Sequence, residues 1–241
     1  MGYTIRAIQA DEWQPLRELR LAALADPVAR VAFNETYANA AAYEERVWRE
    51  RAERSAAGDG ITTFIGIADR KGSPADATAA EGQAAGRWVG MIIALVEPAE
   101  PASTVDLVSV YLLPEHRGTG LARGLFEAAI GWAWERPSPR IERVRLWVHE
   151  ENPRAEAFYR KLGFARTGAM MPDPKAPSAM EVEMALPRPV PGEGTAGTGI
   201  EASNGRAGVS GPGRGSASGN APAPGSASGP ASAGPEPGPG R

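Results

Sequence analysis

Two short stretches of this sequence carry residue types and spacings able to do chemistry. The first is residues 117–123, RGTGLAR, set between the apolar run LVSVYLLPEH and the helix-like run GLFEAAIGWAW. Glycines permit positive φ and close backbone approach, and the first turn of a following helix exposes N–H groups that have no intrahelical partner. Those donors, reinforced by the helix dipole, favour an anion ahead of the helix. Gly118, Thr119, Gly120, Leu121, Ala122 and Arg123 would then surround a pyrophosphate, with the Thr119 hydroxyl as a further donor and Arg117 and Arg123 adding charge. The same loop also reads as a plain structural turn. It is no Walker A loop, because no Gly-Lys-Ser/Thr end is present. It is no dinucleotide fingerprint either, since the third glycine is missing and the surrounding order is not that of a doubly wound sheet.

The second stretch is HEENPRAEAFYRKLGF, residues 149–164. Asn152 before Pro153 is an N-cap followed by proline at the first helical position. Ala155, Phe158 and Leu162 are predicted to face the core, with Tyr159 at the border of that stripe. Tyr159 is therefore either a packed aromatic or a phenol at a cleft, able to donate a proton to a leaving group. Upstream, Asp106 lies in VDLVSVYL, and strict alternation places it on one face with Val108 and Val110. A carboxylate is costly to bury unpaired in so apolar a strand, so Asp106 is expected either to be hydrogen-bonded or to serve catalysis or substrate binding. His149 is the competing base, and His116 is read as an exposed loop residue. Glu156 and Arg160 form a surface i,i+4 pair.

These residues need elements to hold them. Residues 3–8 alternate as a first strand, and Asp11 is read as the cap of a helix in which Leu16, Leu19 and Leu24 share a face. A second helical stretch opens at Asn34, with Thr36 nearby, and closes at Gly58. Then the period changes. Residues 61–69 and 86–98 read as strands joined by a long small-residue loop, and residues 104–114 as a central strand apolar on both faces. A helix over 121–135, carrying Trp132 and Trp134 against the sheet, precedes a strand at 143–149. A short helix ended by Gly163 and a closing hairpin, 164–171 with 178–186, complete the order. The expected fold is α+β (mixed α/β), one largely antiparallel central sheet flanked by helices.

Composition sets the outer limits. Of 241 residues, 42% are hydrophobic and 23% charged, which suits one sizeable domain. From Pro187 onward the chain has no aromatic residue and almost no branched aliphatic one, so residues 187–241 are read as a disordered Gly/Pro/Ser/Ala-rich tail. A net charge of −3 gives no basic footprint for nucleic acid. The absence of cysteine excludes disulfides, thiolate metal sites and a cysteine nucleophile, and no metal is expected. No signal peptide and no apolar run of about 18 residues stands out, so no membrane partner and a cytoplasmic location are expected.

Taken together, RGTGLA and the Asn152, Ala155, Tyr159, Gly163, Phe164 element resemble the GNAT family of N-acetyltransferases, over roughly residues 3–186. The pyrophosphate motif of that family, Gln/Arg-x-x-Gly-x-Gly/Ala, is met by Arg117, Gly120 and Ala122. The resemblance implies acetyl-CoA as co-substrate. Val110, Tyr111 and Leu112 would offer backbone groups to its pantetheine arm, residues 118–123 would hold its pyrophosphate, and Asn152 would contact it. Tyr159 would protonate the departing thiolate, and Asp106, His149 or water would relieve the amine of its proton. The amine would attack the thioester directly, without a covalent enzyme intermediate. The acceptor would lie against residues 29–48 and 170–180, where Glu35, Tyr37, Glu44 and Glu45 either attract a cationic amine or are surface groups. A small-molecule amine is favoured as acceptor. Modification of protein N-termini or lysines, and a non-catalytic acyl-CoA sensor, are the alternatives. A homodimer is compatible with the resemblance.

Overall fold

The computed structural model describes residues 2–69, 86–97 and 103–190. The expected small-residue loop, apart from Gly86, and the tail beyond Val190 lie outside the described residues. Seven strands form one sheet in the order β1-β2-β3-β4-β5-β7-β6. They are β1 (Tyr3–Ala7), β2 (Ile61–Ala68), β3 (Trp88–Val96), β4 (Thr104–Leu112), β5 (Arg143–His149), β6 (Ala165–Asp173) and β7 (Ala176–Pro187). Every neighbour pair is antiparallel except β4 and β5. The expected α+β architecture is thus the observed one.

The β4–β5 pair is also the shortest. Its register covers only Thr104–Asp106 against Arg143–Arg145, after which the two strands part. On its other side β4 bulges. Val108 stands opposite Ile93 and Tyr111 opposite Met91, so Ser109 and Val110 together face Ile92, and Ser109 takes φ 55°. One extra residue reverses the alternation. Asp106, Val108 and Tyr111 therefore share a face, while Val110 turns to the opposite one with Leu112, correcting the face shared by Asp106 and Val110 that alternation predicts.

The helices divide between the two faces. Helix α1 (Trp13–Ala25) buries Leu16, Leu19 and Leu24 as expected. Its N-cap is Glu12 rather than Asp11: the first ladder bond runs from the Leu16 N–H to the Glu12 carbonyl, and the Glu12 carboxylate, which caps no helical N–H, is held by Arg6 and by the Gln9 N–H. A short α2 (Ala29–Ala32) that the sequence reading does not include follows α1, and the long helix expected from Asn34 is broken into α3 (Tyr37–Ala41), capped by the Thr36 hydroxyl, and α4 (Glu45–Ala57), which restarts after an extended Glu44. Gly58, at φ 73°, ends α4 as the sequence indicates. Helix α1 packs on β3 and α4 on β2, leaving β4, β5 and β7 on that face partly open, with Val108 39% exposed.

Helix α5 (Leu121–Glu135) covers the other face and buries Leu121, Leu125, Phe126, Ala129 and Ala133. Its seat is a pair of glycines directly opposite each other, Gly66 on β2 and Gly90 on β3. A side-chain carbon on Gly66 would come within 2.6 Å of the Leu121 Cδ1. Bare backbone here lets the first turn of α5 sink onto the sheet, which fixes the height of the loop in front of it. Helix α6 (Pro153–Lys161) closes this layer through an aromatic cluster: Phe126 lies 5.6 Å from Phe158, 5.5 Å from Tyr159 and 6.1 Å from Phe164. The fold runs slightly beyond residue 186. The Arg188 N–H bonds the Glu142 carbonyl at 2.8 Å, and its guanidinium grips the Ile141 and Trp134 carbonyls.

Candidate functional site

The glycine loop has the form of an anion cradle. Gly118 and Gly120 adopt φ 79° and 91°, which L side chains rarely tolerate, and a side-chain carbon on either would meet no atom within 4 Å. These glycines serve backbone shape, and the space beside them is open. The first intrahelical donor of α5 is Gly124, bonded to the Gly120 carbonyl at 3.2 Å, so the amides of Leu121, Ala122 and Arg123 precede the ladder. Backbone donors, left-handed glycines and open space together fit a pyrophosphate.

The side chains of this loop behave differently from expectation. The Thr119 hydroxyl donates to the His116 carbonyl at 2.7 Å and braces its own turn. Arg117 is turned toward the end of α1: its Nε bonds the Leu112 carbonyl at 3.2 Å and its Nη2 meets Asp26 at 2.5 Å. Asp26 also accepts from the Tyr111 hydroxyl at 3.3 Å. Burial acts to raise the Asp26 carboxyl, but the Val28 N–H, Arg117 and Tyr111 outweigh it and hold it below its ordinary range. Arg123 is exposed, 3.8 Å from Glu127. His116 is not an exposed loop residue. It is buried, with Nδ1 3.0 Å from the Tyr3 hydroxyl, because a 3-10 turn at residues 114–116 folds it under β1.

Beside the cradle, the β4 backbone at Val110, Tyr111 and Leu112 has no β5 partner, since the strands have already separated. That edge is where an extended chain can pair. The Tyr111 ring meanwhile packs 6.4 Å from Phe33 on the α1 face. Asn152 is the N-cap of α6, its side-chain oxygen accepting from the Ala155 N–H at 3.2 Å. Tyr159 is half-buried in the aromatic cluster, and its hydroxyl has no hydrogen-bond partner among the described residues. Burial pushes that phenol up to about 12, so it keeps its proton throughout the neutral range.

The opposite face holds ion networks. Arg145 on β5 is a hub: Nε meets Asp106 Oδ1 at 2.6 Å, Nη2 meets Asp106 Oδ2 at 2.8 Å and Glu97 at 2.8 Å, and Nη1 meets Glu183 at 3.3 Å. Asp106 is thus a paired carboxylate, not an isolated one. Burial still lifts it above its usual range, with the Arg145 bonds pulling the other way and Glu97 adding to the rise. His149 has both ring nitrogens engaged: Nε2 lies 3.3 Å from Asp173 and Nδ1 accepts the Glu151 N–H at 3.1 Å. It is a clamp on the hairpin rather than a free base.

Segments 29–48 and 170–180 do meet. Lys175 in the β6–β7 turn bonds the Arg30 carbonyl at 2.6 Å and the Phe33 carbonyl. The acidic residues in the first segment do not present free negative charge. Glu35 is held by Arg20 at 3.0 Å and by Arg51 at 3.1 Å, and Glu45 pairs with Arg49 on the surface. Glu44 is an exposed helix cap and Tyr37 is 49% exposed. Arg20, Arg51, Ser109, Asp26 and Arg145 are absent from the residues that sequence alone singles out. For Arg145 a signal existed: an arginine at an alternating, apolar-flanked strand position needs a carboxylate near it.

The sequence matches the model of the acetyltransferase (GNAT) family over residues 39–164. That is just over half of the chain, and the protein belongs to this family. A curated relative, an uncharacterized N-acetyltransferase of Mycobacterium bovis, is 39% identical over 64 residues, 27% of this chain and 39% of that protein. The chain therefore spans well under half the length of the curated relatives it matches. Among solved structures, a GNAT-family acetyltransferase from Streptococcus pneumoniae superposes with TM-score 0.59 at 17% identity, covering 77% of this chain and 99% of that one. A spermidine N-acetyltransferase from Vibrio cholerae, in complex with CoA and spermine, gives TM-score 0.54 at 17% identity over 77% and 95% of the two chains. At such identities the likeness is one of fold.

Proposed function

We propose that the protein transfers the acetyl group of acetyl-CoA to a primary amine by direct attack. The observation that carries this reading is the combination of an anion cradle at the start of α5, a β4 edge left without a β5 partner, and, in the helical layer of α5 and α6, a protonated Tyr159 with a hydroxyl that has no partner among the described residues. Acetyl-CoA, when bound, supplies an acetyl thioester. The amides of residues 118–123 hold its pyrophosphate, and the backbone of Val110, Tyr111 and Leu112 orients its extended arm. Asn152, with its amide NH2 not used in capping, contacts the same arm. The parted strands give the amine a path from the α1 face, where the carboxylates around Arg145 outnumber it and favour an ammonium.

Asp106, raised by burial, accepts the proton that the ammonium must lose. The amine nitrogen then bonds to the acetyl carbon, the carbon–sulfur bond breaks, the thiolate receives the Tyr159 proton, and the second proton of the acylated nitrogen passes through water to the Tyr159 phenolate, restoring the acid. A phenol raised to about 12 is certain to hold that proton at neutral pH.

Titration with acetyl-CoA followed by free-thiol release on an amine panel tests the assignment. Tyr159→Phe is expected to lower kcat by about 10²–10⁴-fold while leaving the acetyl-CoA dissociation constant within about twofold. Absence of acetyl-CoA binding by the wild type overturns the donor assignment. Binding without turnover on any amine or peptide supports a non-catalytic sensor instead, and full activity of Tyr159→Phe removes the acid role.

A further inference from the structure

A cavity of about 290 Å³ opens on the α1 face of the sheet, floored by β2, β3 and the β4 bulge and roofed by α1 and α4. Leu16, Trp48, Ile61, Met91 and Ile93 give it an apolar wall. Its charge is lopsided: Arg20, Arg51 and Arg54 line it with a single carboxylate, Glu35. Both Glu35 oxygens are already engaged, one by Arg20 and one by Arg51. Arg54 makes no ion pair or hydrogen bond with the described residues. Trp48, 1% exposed, carries an indole N–H that is also without a partner among them. Even beside Glu35, burial draws the Arg20 guanidinium below its usual range. The pocket thus sets three guanidiniums against one carboxylate, with Arg20 inside, Arg51 half-exposed and Arg54 at the solvent-exposed rim, a setting that favours an anion.

Its position relates it to the reaction. Arg20 reaches the Ser109 hydroxyl at 3.3 Å, and Ser109 is the left-handed residue of the bulge, next to the β4 edge assigned to the donor arm. Ile93 in the cavity wall pairs with Val108, and one step along the same face stands Asp106 with its excess of carboxylates. The face therefore runs from arginines at the cavity to carboxylates around Arg145, with the bulge between them.

We infer that the acceptor is a compact amine carrying a carboxylate on an apolar body, an apolar amino acid in chemical class. Its carboxylate docks on Arg20, Arg51 and Arg54, and its ammonium points toward the Asp106 cluster. This rests on the acetyltransferase reading for the amine end alone; the anion pocket stands by itself. At about 30 Å³ per water the cavity has room for roughly ten, which suits an amino acid and not a folded protein surface. A polyamine would set cation against cation.

The test pairs apolar amino acids, leucine and phenylalanine, with the amines lacking only the carboxylate, isoamylamine and phenethylamine, and with the amino-acid amides. Wild type is expected to show kcat/KM at least tenfold higher for the acids. Arg54→Gln and Arg51→Gln are expected to raise KM for the acids about fivefold or more, with KM for the decarboxylated amines unchanged. Equal or better turnover of the decarboxylated amines, the amides or spermidine overturns the proposal, as does an equal loss on both series. Separately, the amine-free carboxylates 4-methylvalerate and hydrocinnamate should bind and quench tryptophan fluorescence in the wild type, not in Trp48→Phe, and more weakly in Arg54→Gln. Carboxylate binding without acetyl-CoA binding would leave the pocket standing and remove the acetyltransferase reading. Acetyl-CoA binding without carboxylate binding would do the reverse.

Discussion

The two faces of the sheet are built by different means. On the α5 face the anion cradle consists of backbone amides and glycines within one heptapeptide, seated on the paired Gly66 and Gly90. On the α1 face the charges come from side chains on α1, α4, β4, β5 and β7, brought together only by the fold. A site made of main chain tolerates change in its side chains and fails when a φ angle becomes unattainable. A site made of distant side chains fails when one charge loses its partner. Under the function proposed above, the donor is read by the first kind of site and the acceptor by the second.

The strongest way to sharpen that contrast is to remove the hub of the acceptor face. Arg145→Leu leaves Asp106, Glu97 and Glu183 without their shared cation, and a broken buried pair typically costs about 3 kcal/mol or more. A loss near 3 kcal/mol is expected by urea denaturation at neutral pH. The sign of its pH dependence follows from burial, which already raises Asp106 and would raise it further without Arg145. A raised carboxyl contributes stability below its unfolded value and loses it as pH rises through the folded one. The deficit of Arg145→Leu should therefore shrink on acidification, and a deficit independent of pH would show that Arg145 acts by packing alone. Next in size, Gly120→Val forces a branched side chain into φ 91° and costs about 1–2 kcal/mol. Acetyl-CoA affinity should fall about tenfold, with KM for the acceptor unmoved. A Gly120→Val protein that binds acetyl-CoA normally would mean that the cradle is not read by its backbone.

This division also explains what the sequence made legible. The cradle, the α5 start at Leu121, the Asn152 cap and Tyr159 are local signals, each set by a few adjacent residues, and they make up the proposed donor side. The fold class follows from the order of segments, helices first, then a meander of strands, then alternating strands and helices. The acceptor side resisted for two reasons. One inserted residue at Ser109–Val110 reverses the parity of β4, so alternation counted from Asp106 misplaces Val110. And the partner of a charge, Arg145 for Asp106 or Arg20 for Glu35, lies 39 and 15 residues away, where no spacing rule reaches. The burial of His116 is hidden from the sequence for the same reason, its partner Tyr3 being 113 residues distant.

Asp26 joins the two sides, accepting from Arg117 in the glycine loop and from Tyr111 on the α1 face. Asp26→Asn weakens both bonds and is expected to cost about 1 kcal/mol, a modest figure because Arg117 is a third exposed. If Asp26 positions the loop, KM for acetyl-CoA rises a few-fold while kcat holds. A stability loss with no change in that KM would make the contact purely structural and the two faces energetically separate.

The smallest effect expected comes from Glu35, and it bears on whether the arginines of the cavity are truly in excess. Burial acts to raise the Glu35 carboxyl, but Arg20 and Arg51 outweigh it and hold it below the usual range. A depressed carboxyl contributes stability above its unfolded value and loses that contribution as pH falls through the folded one. The stability gap between wild type and Glu35→Gln should therefore be constant near neutrality and close on acidification below the ordinary carboxylate range. With Glu35 replaced, three arginines line the cavity without a carboxylate, and amine-free carboxylates should bind more tightly at neutral pH. A gap that does not close with acid would show that the arginines are already neutralised by another group, and the acceptor face would then lack the positive pole that distinguishes it from the donor face.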